Sequence, residues 1–247
     1  MTTQAGKPSS VSGGFFVTGT DTGVGKTVVT AALATAFRAD RYDVVALKPF
    51  ATGAAMIQGR RASADALFIE RAAASGEPID VINPVLLDAP LAPSVAARLE
   101  EREVDVEAAV EHCKRVAARH QLALIEGIGG LLVPLNEGTL VADFAAELGL
   151  PRVIVARPDL GTLNHTALTA DCARSRGLPI AGVVINGYPD RPGAAEKTSP
   201  AEIKRITGLS ILAVLPRIRG LDVKELHDGE WPRLVASIRI ERFTAKL

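Results

Sequence analysis

This sequence has little of what secreted and membrane proteins usually carry. It contains only two cysteines, Cys113 and Cys172, each at helical spacing from apolar neighbours. We expect both to be small core residues, not a disulfide or a metal pair. No run approaches the roughly 18 apolar residues of a membrane span. The first dozen residues have no apolar stretch of the signal-peptide kind, so we expect a cytoplasmic protein with no membrane partner.

The sequence also lacks an excess of charge of either sign and has few aromatic side chains. The 28 basic and 28 acidic residues cancel, and no basic block exceeds the pair Arg60 and Arg61. Proteins that bind nucleic acids or anionic membranes usually carry a basic excess. The aromatic content of 4% leaves few platforms for base stacking. We therefore expect no nucleic-acid partner.

Short apolar runs alternate with helix-like stretches along the chain. Such continuous runs are typical of strands covered on both faces. The predicted strands are Phe15–Thr18, Val44–Leu47, Leu122–Ile125, Val153–Ala156, Ile180–Ile185 and Ile211–Leu215. The predicted helices are Lys26–Arg38, Ala64–Ala74, Val106–His120, Val141–Leu148, Asn164–Arg176 and Pro200–Ile206. This order predicts an α/β fold with a doubly wound, mainly parallel sheet and helices on both faces.

The division into domains follows from length and composition. A chain of 247 residues could form one large domain or two small ones, but no second core or linker is visible. We predict a disordered N-terminal tail over residues 1–13, which are polar and rich in Gly and Ser, and a single domain over residues 14–247. Within it, the stretch Gly187–Pro200 contains three prolines and predicts a long loop.

A glycine-rich segment between the first predicted strand and helix gives the clearest chemical signal. Residues 19–27 read GTDTGVGKT, and five residues separate Gly19 from Gly25 where the usual phosphate-binding P-loop has four. Glycines let backbone amides converge on phosphate oxygens, and a helix N-terminus favours negative charge. Lys26 would reach the β- and γ-phosphates, and the Thr27 hydroxyl would coordinate Mg²⁺. We predict a nucleoside triphosphate site, the alternative being a chance Gly-Lys-Thr in a surface turn.

Polar residues follow other predicted strands, where ligands of such folds bind. Lys48, at the end of a predicted strand, is expected to place a cation opposite the P-loop. The alternative is that its side chain simply extends from the strand end into solvent. Glu126 suits a metal ligand or a water-orienting group, the alternative being a cap for the next glycine turn. Taken alone, Asp65 reads as a first-turn helix residue and Asn186 as a turn or cap residue. The sequence shows no nucleophile–His–acid set and no zinc spacing.

Taken in order, these segments resemble the dethiobiotin synthetase family from Phe15 to about Ile218. The resemblance is carried by 19–27 (GTDTGVGKT), 48–53 (KPFATG), 63–67 (SADAL), 90–93 (PLAP), 126–134 (EGIGGLLVP), 160–165 (LGTLNH) and Asn186. The longer P-loop is the family's own form. Two positions depart from the family's pattern: Ile128 stands where alanine is usual, and Gly187 follows Asn186 where an acidic residue is frequent.

The resemblance implies a P-loop NTPase type of fold and an ATP-dependent ring-closing ligase. The family converts 7,8-diaminopelargonate, CO2 and ATP into dethiobiotin, ADP and phosphate through a phosphorylated carbamate. It implies Mg²⁺ as cofactor, ATP as co-substrate and a homodimer with composite active sites. Lys26 and Lys48 would be catalytic, stabilising the carbamate and the γ-phosphoryl group. Thr27, Asp65 and Glu126 would hold Mg²⁺.

The resemblance also implies two sets of ligand contacts. Thr52 would lie near the reacting end of the substrate, and backbone amides of the partner subunit would hold the substrate carboxylate. Those amides belong to Gly161, Thr162, Leu163 and Asn164. Contacts with ATP are implied for Gly23, Val24, Gly25, Lys26, Thr27, Val28, Asp65, Glu126, Gly127, Ile128, Gly129, Asn186, Gly187, Pro216, Arg217 and Ile218.

Three other families share features of this chain. Amidotransferase-type synthetases of the cobalamin pathway have the same P-loop form, but they continue into a glutaminase domain for which too little chain remains. Partitioning ATPases have a second lysine at the position of Asp21. A non-catalytic nucleotide-sensing module is the third alternative, and the presence of Lys48, Asp65 and Glu126 argues against it.

Overall fold

The structure is a computed structural model that describes residues 13–224 and 227–247. The predicted disordered tail lies outside the described residues, except for Gly13. The elements in chain order are β1 (Gly14–Gly19), α1 (Lys26–Ala39), β2 (Val44–Leu47), β3 (Phe50–Ala51), β4 (Ala55–Ile57), β5 (Arg60–Ala62), α2 (Ala64–Ala73), α3 (Ile79–Ile82), β6 (Val85–Leu86), α4 (Pro93–Leu99), α5 (Val106–Ala117), β7 (Leu122–Glu126), α6 (Val141–Leu148), β8 (Arg152–Ala156), α7 (Thr162–Ser175), β9 (Ile180–Tyr188), α8 (Ala194–Thr207), β10 (Ile211–Pro216), β11 (Leu221–Asp222), β12 (His227–Asp228), α9 (Trp231–Val235) and α10 (Glu241–Thr244).

A six-stranded sheet forms the centre of the molecule, in the order β10-β9-β8-β1-β7-β2. Every pairing between its strands is parallel. Each strand contains one of the predicted apolar runs, so the predicted doubly wound parallel sheet is confirmed. β1 lies between β7 and β8, which brings the carboxyl ends of β1, β7 and β2 together at one edge of the sheet.

The two phenylalanines of β1 show why its apolar run does not alternate. Phe15 packs against Phe37 of α1 and Phe243 of α10, with ring centroids 6.5 and 5.9 Å away. Its neighbour Phe16 packs against Phe144 of α6 at 6.1 Å. Successive side chains of a strand point to opposite faces, so helices cover both sides of β1. Both phenylalanines are fully buried.

Helix α8 corrects the prediction of a long loop over Gly187–Pro200. The helix begins at Ala194, and Pro200 lies inside it. Proline lacks the N–H that would bond the carbonyl four residues earlier, which here is the carbonyl of Glu196. That carbonyl instead accepts bonds from the Tyr188 hydroxyl at 3.1 Å and the Ser199 hydroxyl at 3.2 Å. These side chains make the proline tolerable, and the loop prediction was wrong because it weighed proline alone.

The cysteines are both free, but only one is a core residue. Cys113 is fully buried, and burial raises the pKa of its thiol. Cys172, which belongs to α7, is half-buried and packs against a small apolar cluster. In the described part of the chain, no helix combines the length and the apolar character needed to cross a membrane.

The contact between Tyr188 and α8 gives a stability prediction. Tyr188→Phe should lower the free energy of unfolding by about 1 kcal/mol, because the Glu196 carbonyl loses a donor. In a Pro200→Ala background the same change should cost less, because the substituted alanine has a backbone N–H that supplies this bond. Denaturant unfolding of the single and double variants measures the difference. Equal costs in both backgrounds would contradict this account, and Tyr42→Phe serves as the control.

Candidate active site

The segment between β1 and α1 has the geometry of a phosphate-binding loop. Gly25 caps α1 with a φ of 91°, in the left-handed region that favours glycine. A Cβ atom there would lie 2.0 Å from Asn186 Nδ2, so a larger residue would displace that side chain. Asn186 Nδ2 itself donates to the Val24 carbonyl at 3.0 Å. The side chain of Asn186 therefore supports the loop from the end of β9.

Lys26 lies in the first turn of α1, as predicted. It is 7% exposed, and its ammonium group donates to the Asp21 carbonyl at 3.2 Å. Burial, aided by repulsion from Lys48, lowers the pKa of Lys26 to about 8. The side chain bends back over the loop, so its charge lies where bound phosphates would be stabilised.

A group of charges, buried except for Asp65, lies beside the loop and contains four predicted site residues. Lys48 Nζ lies 2.5 Å from Glu126 Oε1 and 3.2 Å from Asp65 Oδ2. The Thr27 hydroxyl donates to the same Glu126 oxygen at 2.9 Å. Lys48 also donates to the Gly127 carbonyl at 3.3 Å. We call Thr27, Lys48, Asp65 and Glu126 the charge cluster.

Strand register brings the cluster together. β2 pairs with β7 so that Leu47 is opposite Ile125, and the next residues, Lys48 and Glu126, meet where the strands end. The Lys48 backbone leaves the sheet here. Its N–H donates to the Ile82 carbonyl at 2.9 Å, and its carbonyl accepts from Asn83 Nδ2 at 2.7 Å. Asn83 was not predicted from the sequence, because a single buried asparagine carries no motif.

The pKa shifts in the cluster reflect burial and pairing. Burial raises the pKa of Glu126 even though Lys48 opposes the shift. For Lys48, burial is outweighed by Glu126 and Asp65, which together raise its pKa. For Asp65, burial is likewise outweighed, and Lys48 lowers its pKa. One oxygen, Glu126 Oε2, is buried and has no hydrogen-bond partner among the described residues. This oxygen can therefore still accept a hydrogen bond or ligate a cation.

The cluster opens into a cavity of about 420 Å³. It is lined by Thr22, Gly23, Gly25, Lys26, Thr27, Val28, Lys48, Ala51, Thr52, Asp65, Glu126, Ile128, Gly129, Val223 and Lys224. A groove of about 730 Å³ adjoins it along β4, and both spaces contact Thr52, Asp65 and Lys224. Val223 and Lys224 were missed by the sequence analysis, which found no motif beyond Ile218.

Other predicted nucleotide contacts lie at the carboxyl ends of β9 and β10, outside this cavity. Asn186 and Gly187 lie near the end of β9, and Pro216 ends β10. The Arg217 N–H donates to the Tyr188 carbonyl at 2.8 Å, which joins the two strand ends. The bond from Asn186 to the Val24 carbonyl places the end of β9 beside the P-loop. Gly127 lies behind the loop, where a Cβ would press on the Phe16 ring at 2.9 Å.

The predicted substrate segment after β8 opens a helix. Gly161, with a φ of 93°, caps α7, which begins at Thr162, two residues earlier than predicted. The Thr162 N–H already donates to the Asp159 carbonyl at 3.2 Å. Within the described part of the chain, the N–H groups of Leu163 and Asn164 make no hydrogen bond. None of these four residues lines the cavity of its own chain.

The described residues contain no group of three or more His, Cys, Asp or Glu side chains that could hold a metal ion. The predicted Mg²⁺ set is of another kind, since it has two carboxylates and the Thr27 hydroxyl. Hard oxygen donors of this type, completed by phosphate oxygens and water, suit Mg²⁺.

Comparison with solved structures places the fold among P-loop ATPases. The MinD cell division protein of Aquifex aeolicus superposes with a TM-score of 0.57, at 15% identity, over 95% of this chain and 98% of that one. A ParA family ATPase from Chlorobium tepidum TLS gives a TM-score of 0.55, at 15% identity, over 96% and 94%. At such identities the likeness shows the fold alone.

Comparison of sequences is more specific. A family described as an AAA domain matches residues 13–225. The ATP-dependent dethiobiotin synthetase BioD of Anaeromyxobacter sp. (strain Fw109-5) is 48% identical over 92% of this chain and 99% of its own length. The protein of the same name from Bacillus subtilis (strain 168) is 43% identical over 83% of this chain and 87% of its own length. The resemblance noted in the sequence is thus confirmed, and the chain belongs to the dethiobiotin synthetase family.

Proposed function

We propose that this chain is an ATP-dependent dethiobiotin synthetase, which closes the ureido ring of dethiobiotin from 7,8-diaminopelargonate and CO2. The observation that carries the proposal is the charge cluster beside the P-loop. Together with Lys26, it places two lysines and two carboxylates at the junction of a phosphate site and a second groove. Membership of the family and the length of the match support the same activity.

The proposed reaction needs charge stabilisation more than a strong base. A carbamate oxygen attacks the γ-phosphorus, and the bond to the leaving ADP oxygen breaks. The second amine then attacks the carbamate carbon, phosphate leaves with the bonding pair, and the ring closes. Negative charge develops around the transferring phosphoryl group, and fixed cations stabilise it. Lys26 and Lys48 are the buried cations next to the loop, and we assign both as catalytic.

The metal proposal rests on the open ligand position in the cluster. Thr27, Asp65 and Glu126 would hold Mg²⁺, which would neutralise phosphate charge during transfer. Glu126 contributes a buried oxygen without a partner among the described residues, and the Asp65 side chain is 42% exposed and lines the cavity. Lys48 bridges these carboxylates in the structure, so its ammonium group would share them with the ion.

The remaining ligand assignments follow the family. Thr52 lies where the cavity meets the groove, which suits contact with the reacting end of the substrate. Asn186, Gly187 and Pro216 to Ile218 would contact the adenine end of ATP. We also propose a cytoplasmic homodimer, with each chain forming a single domain over residues 14–247. In this dimer Gly161 to Asn164 would serve the partner's active site, because they do not line their own chain's cavity.

The activity is tested by phosphate release with and without diaminopelargonate, in the presence of bicarbonate, ATP and Mg²⁺. We expect release to depend on diaminopelargonate. Lys26→Ala should lower the rate by on the order of 10²–10³, because the phosphoryl group loses a fixed cation. ATP hydrolysis that ignores the diamine would contradict the proposed function. A Lys26→Ala enzyme with wild-type turnover would contradict the role of the P-loop lysine.

The metal site gives a second prediction. Asp65→Asn and Glu126→Gln should each raise the Mg²⁺ concentration needed for half-maximal rate, because each removes an anionic oxygen ligand. Glu147→Gln, on the exposed side of α6, is the matched control and should leave the required Mg²⁺ concentration unchanged. Circular dichroism checks that the variants fold. If both cavity variants keep the metal dependence of the control, the two carboxylates are structural only.

The composite dimer gives a third prediction. Leu163→Pro removes an N–H that makes no bond within the described part of its own chain, at a helix position where proline is tolerated. The KM for diaminopelargonate should rise, while ATP affinity, measured by calorimetry, stays near that of the wild type. The control is Ala195→Pro, at the same position of α8.

Mixing Leu163→Pro with Lys26→Ala subunits then separates composite from single-chain sites. Heterodimers should regain activity, because one of their two sites keeps both intact contributions. Absence of any recovery, with subunit exchange demonstrated, would place the whole substrate site within one chain.

A further inference from the structure

The chain beyond β10 brings a third lysine to the active-site cavity. Lys224 lines the cavity together with residues of the P-loop, and it also lines the adjoining groove. It shares this junction with Thr52 and Asp65. In the proposed function, the junction is the place where the transferring group passes from nucleotide to substrate.

The local backbone holds Lys224 at this place. Leu221 pairs with Asp228 in the short antiparallel hairpin of β11 and β12. The Lys224 N–H donates to Asp222 Oδ1 at 2.8 Å, which fixes the turn after β11. On the other side of the hairpin, α9 is anchored on the helices that carry the site.

Trp231 of α9 provides that anchor. Its ring meets Phe68 of α2 edge to face, with centroids 5.5 Å apart. Its indole N–H donates to the Thr35 hydroxyl of α1 at 3.3 Å. Helix α1 carries Lys26, and α2 carries Asp65, so the hairpin is fixed to the same helices as the catalytic groups.

The charges of the cavity leave a role for this lysine. Lys48 is neutralised by two carboxylates, and Lys26 donates to a backbone carbonyl. Among residues 13–224 and 229–247, the ammonium group of Lys224 makes no hydrogen bond or ion pair. A triphosphate and a carbamate together bring more negative charge than Lys26 and one Mg²⁺ ion would offset. A further cation at the junction is therefore complementary to the bound anions.

We propose that Lys224 is a further cation of the active site, which contacts the anionic oxygens of the group at this junction. The inference rests on the proposed function. Two anions have the required chemistry, the γ-phosphoryl group of ATP and the carbamate formed on the diamine. Contact with either would stabilise the charge that develops as the phosphoryl group moves.

The test compares Lys224→Gln with Lys224→Arg and with Lys197→Gln. Lys197 is an exposed lysine of α8 that lines neither space, so it controls for loss of one positive charge. We expect Lys224→Gln to lower kcat/KM by about tenfold or more. This effect should be smaller than the roughly 10²–10³-fold loss that follows removal of a buried donor. Lys224→Arg should retain most of the activity, and Lys197→Gln should match the wild type.

Calorimetry with ATP and with ADP, without the diamine, distinguishes the two anions. Weaker binding of ATP with unchanged binding of ADP assigns Lys224 to the γ-phosphoryl group. Unchanged binding of both, with a raised KM for diaminopelargonate, assigns it to the carbamate. Lys224→Gln values within twofold of Lys197→Gln in every measurement would overturn the proposal. If the wild type itself shows no diamine-dependent phosphate release, the proposed function fails, and the ATP and ADP affinities alone then decide whether Lys224 contacts the nucleotide.

Discussion

The contact between Lys48 and Glu126 is the interaction on which the active site depends. Both side chains are almost fully removed from water, with 3% and 0% exposure of the residues. Buried charges are tolerated when each is paired and hydrogen-bonded, and loss of one partner costs about 3–5 kcal/mol. Lys48 satisfies this requirement through Glu126, Asp65 and the Gly127 carbonyl. The same charges therefore serve the stability of the fold and the proposed chemistry, and neither role can be altered alone.

The parallel sheet creates this contact without any direct sequence relation between the two residues. β7 lies between β1 and β2, and its register sets Ile125 opposite Leu47. The residues that follow each strand then converge at one edge, beside the P-loop that follows β1. Helices on both faces exclude water from the strands. The charges consequently lie at the rim of a dry core, where electrostatic stabilisation is stronger than in water.

The chain after β10 contributes both to the packing of the fold and to the active-site cavity. Trp231 packs across α1 and α2, and Phe243 packs against Phe15 in the core. These contacts tie the C-terminal elements to the helices that position the P-loop and Asp65. The hairpin between them closes one wall of the cavity with Val223 and Lys224. A segment without any recognisable motif thus completes the site.

The sequence by itself determined the six central strands and the P-loop, and the order of its motifs, through the family resemblance, pointed to the residues of the charge cluster. It could do so because buried parallel strands leave continuous apolar runs, and because phosphate chemistry demands glycine, lysine and threonine at fixed spacing. Only the tertiary structure decided the contacts of Asn83, Asn186 and Lys224, since these depend on segments distant in sequence. The part of α8 that precedes Pro200 was hidden for the same reason. The carbonyl that the proline leaves free is satisfied in part by Tyr188, a side chain that reaches it only in the folded chain.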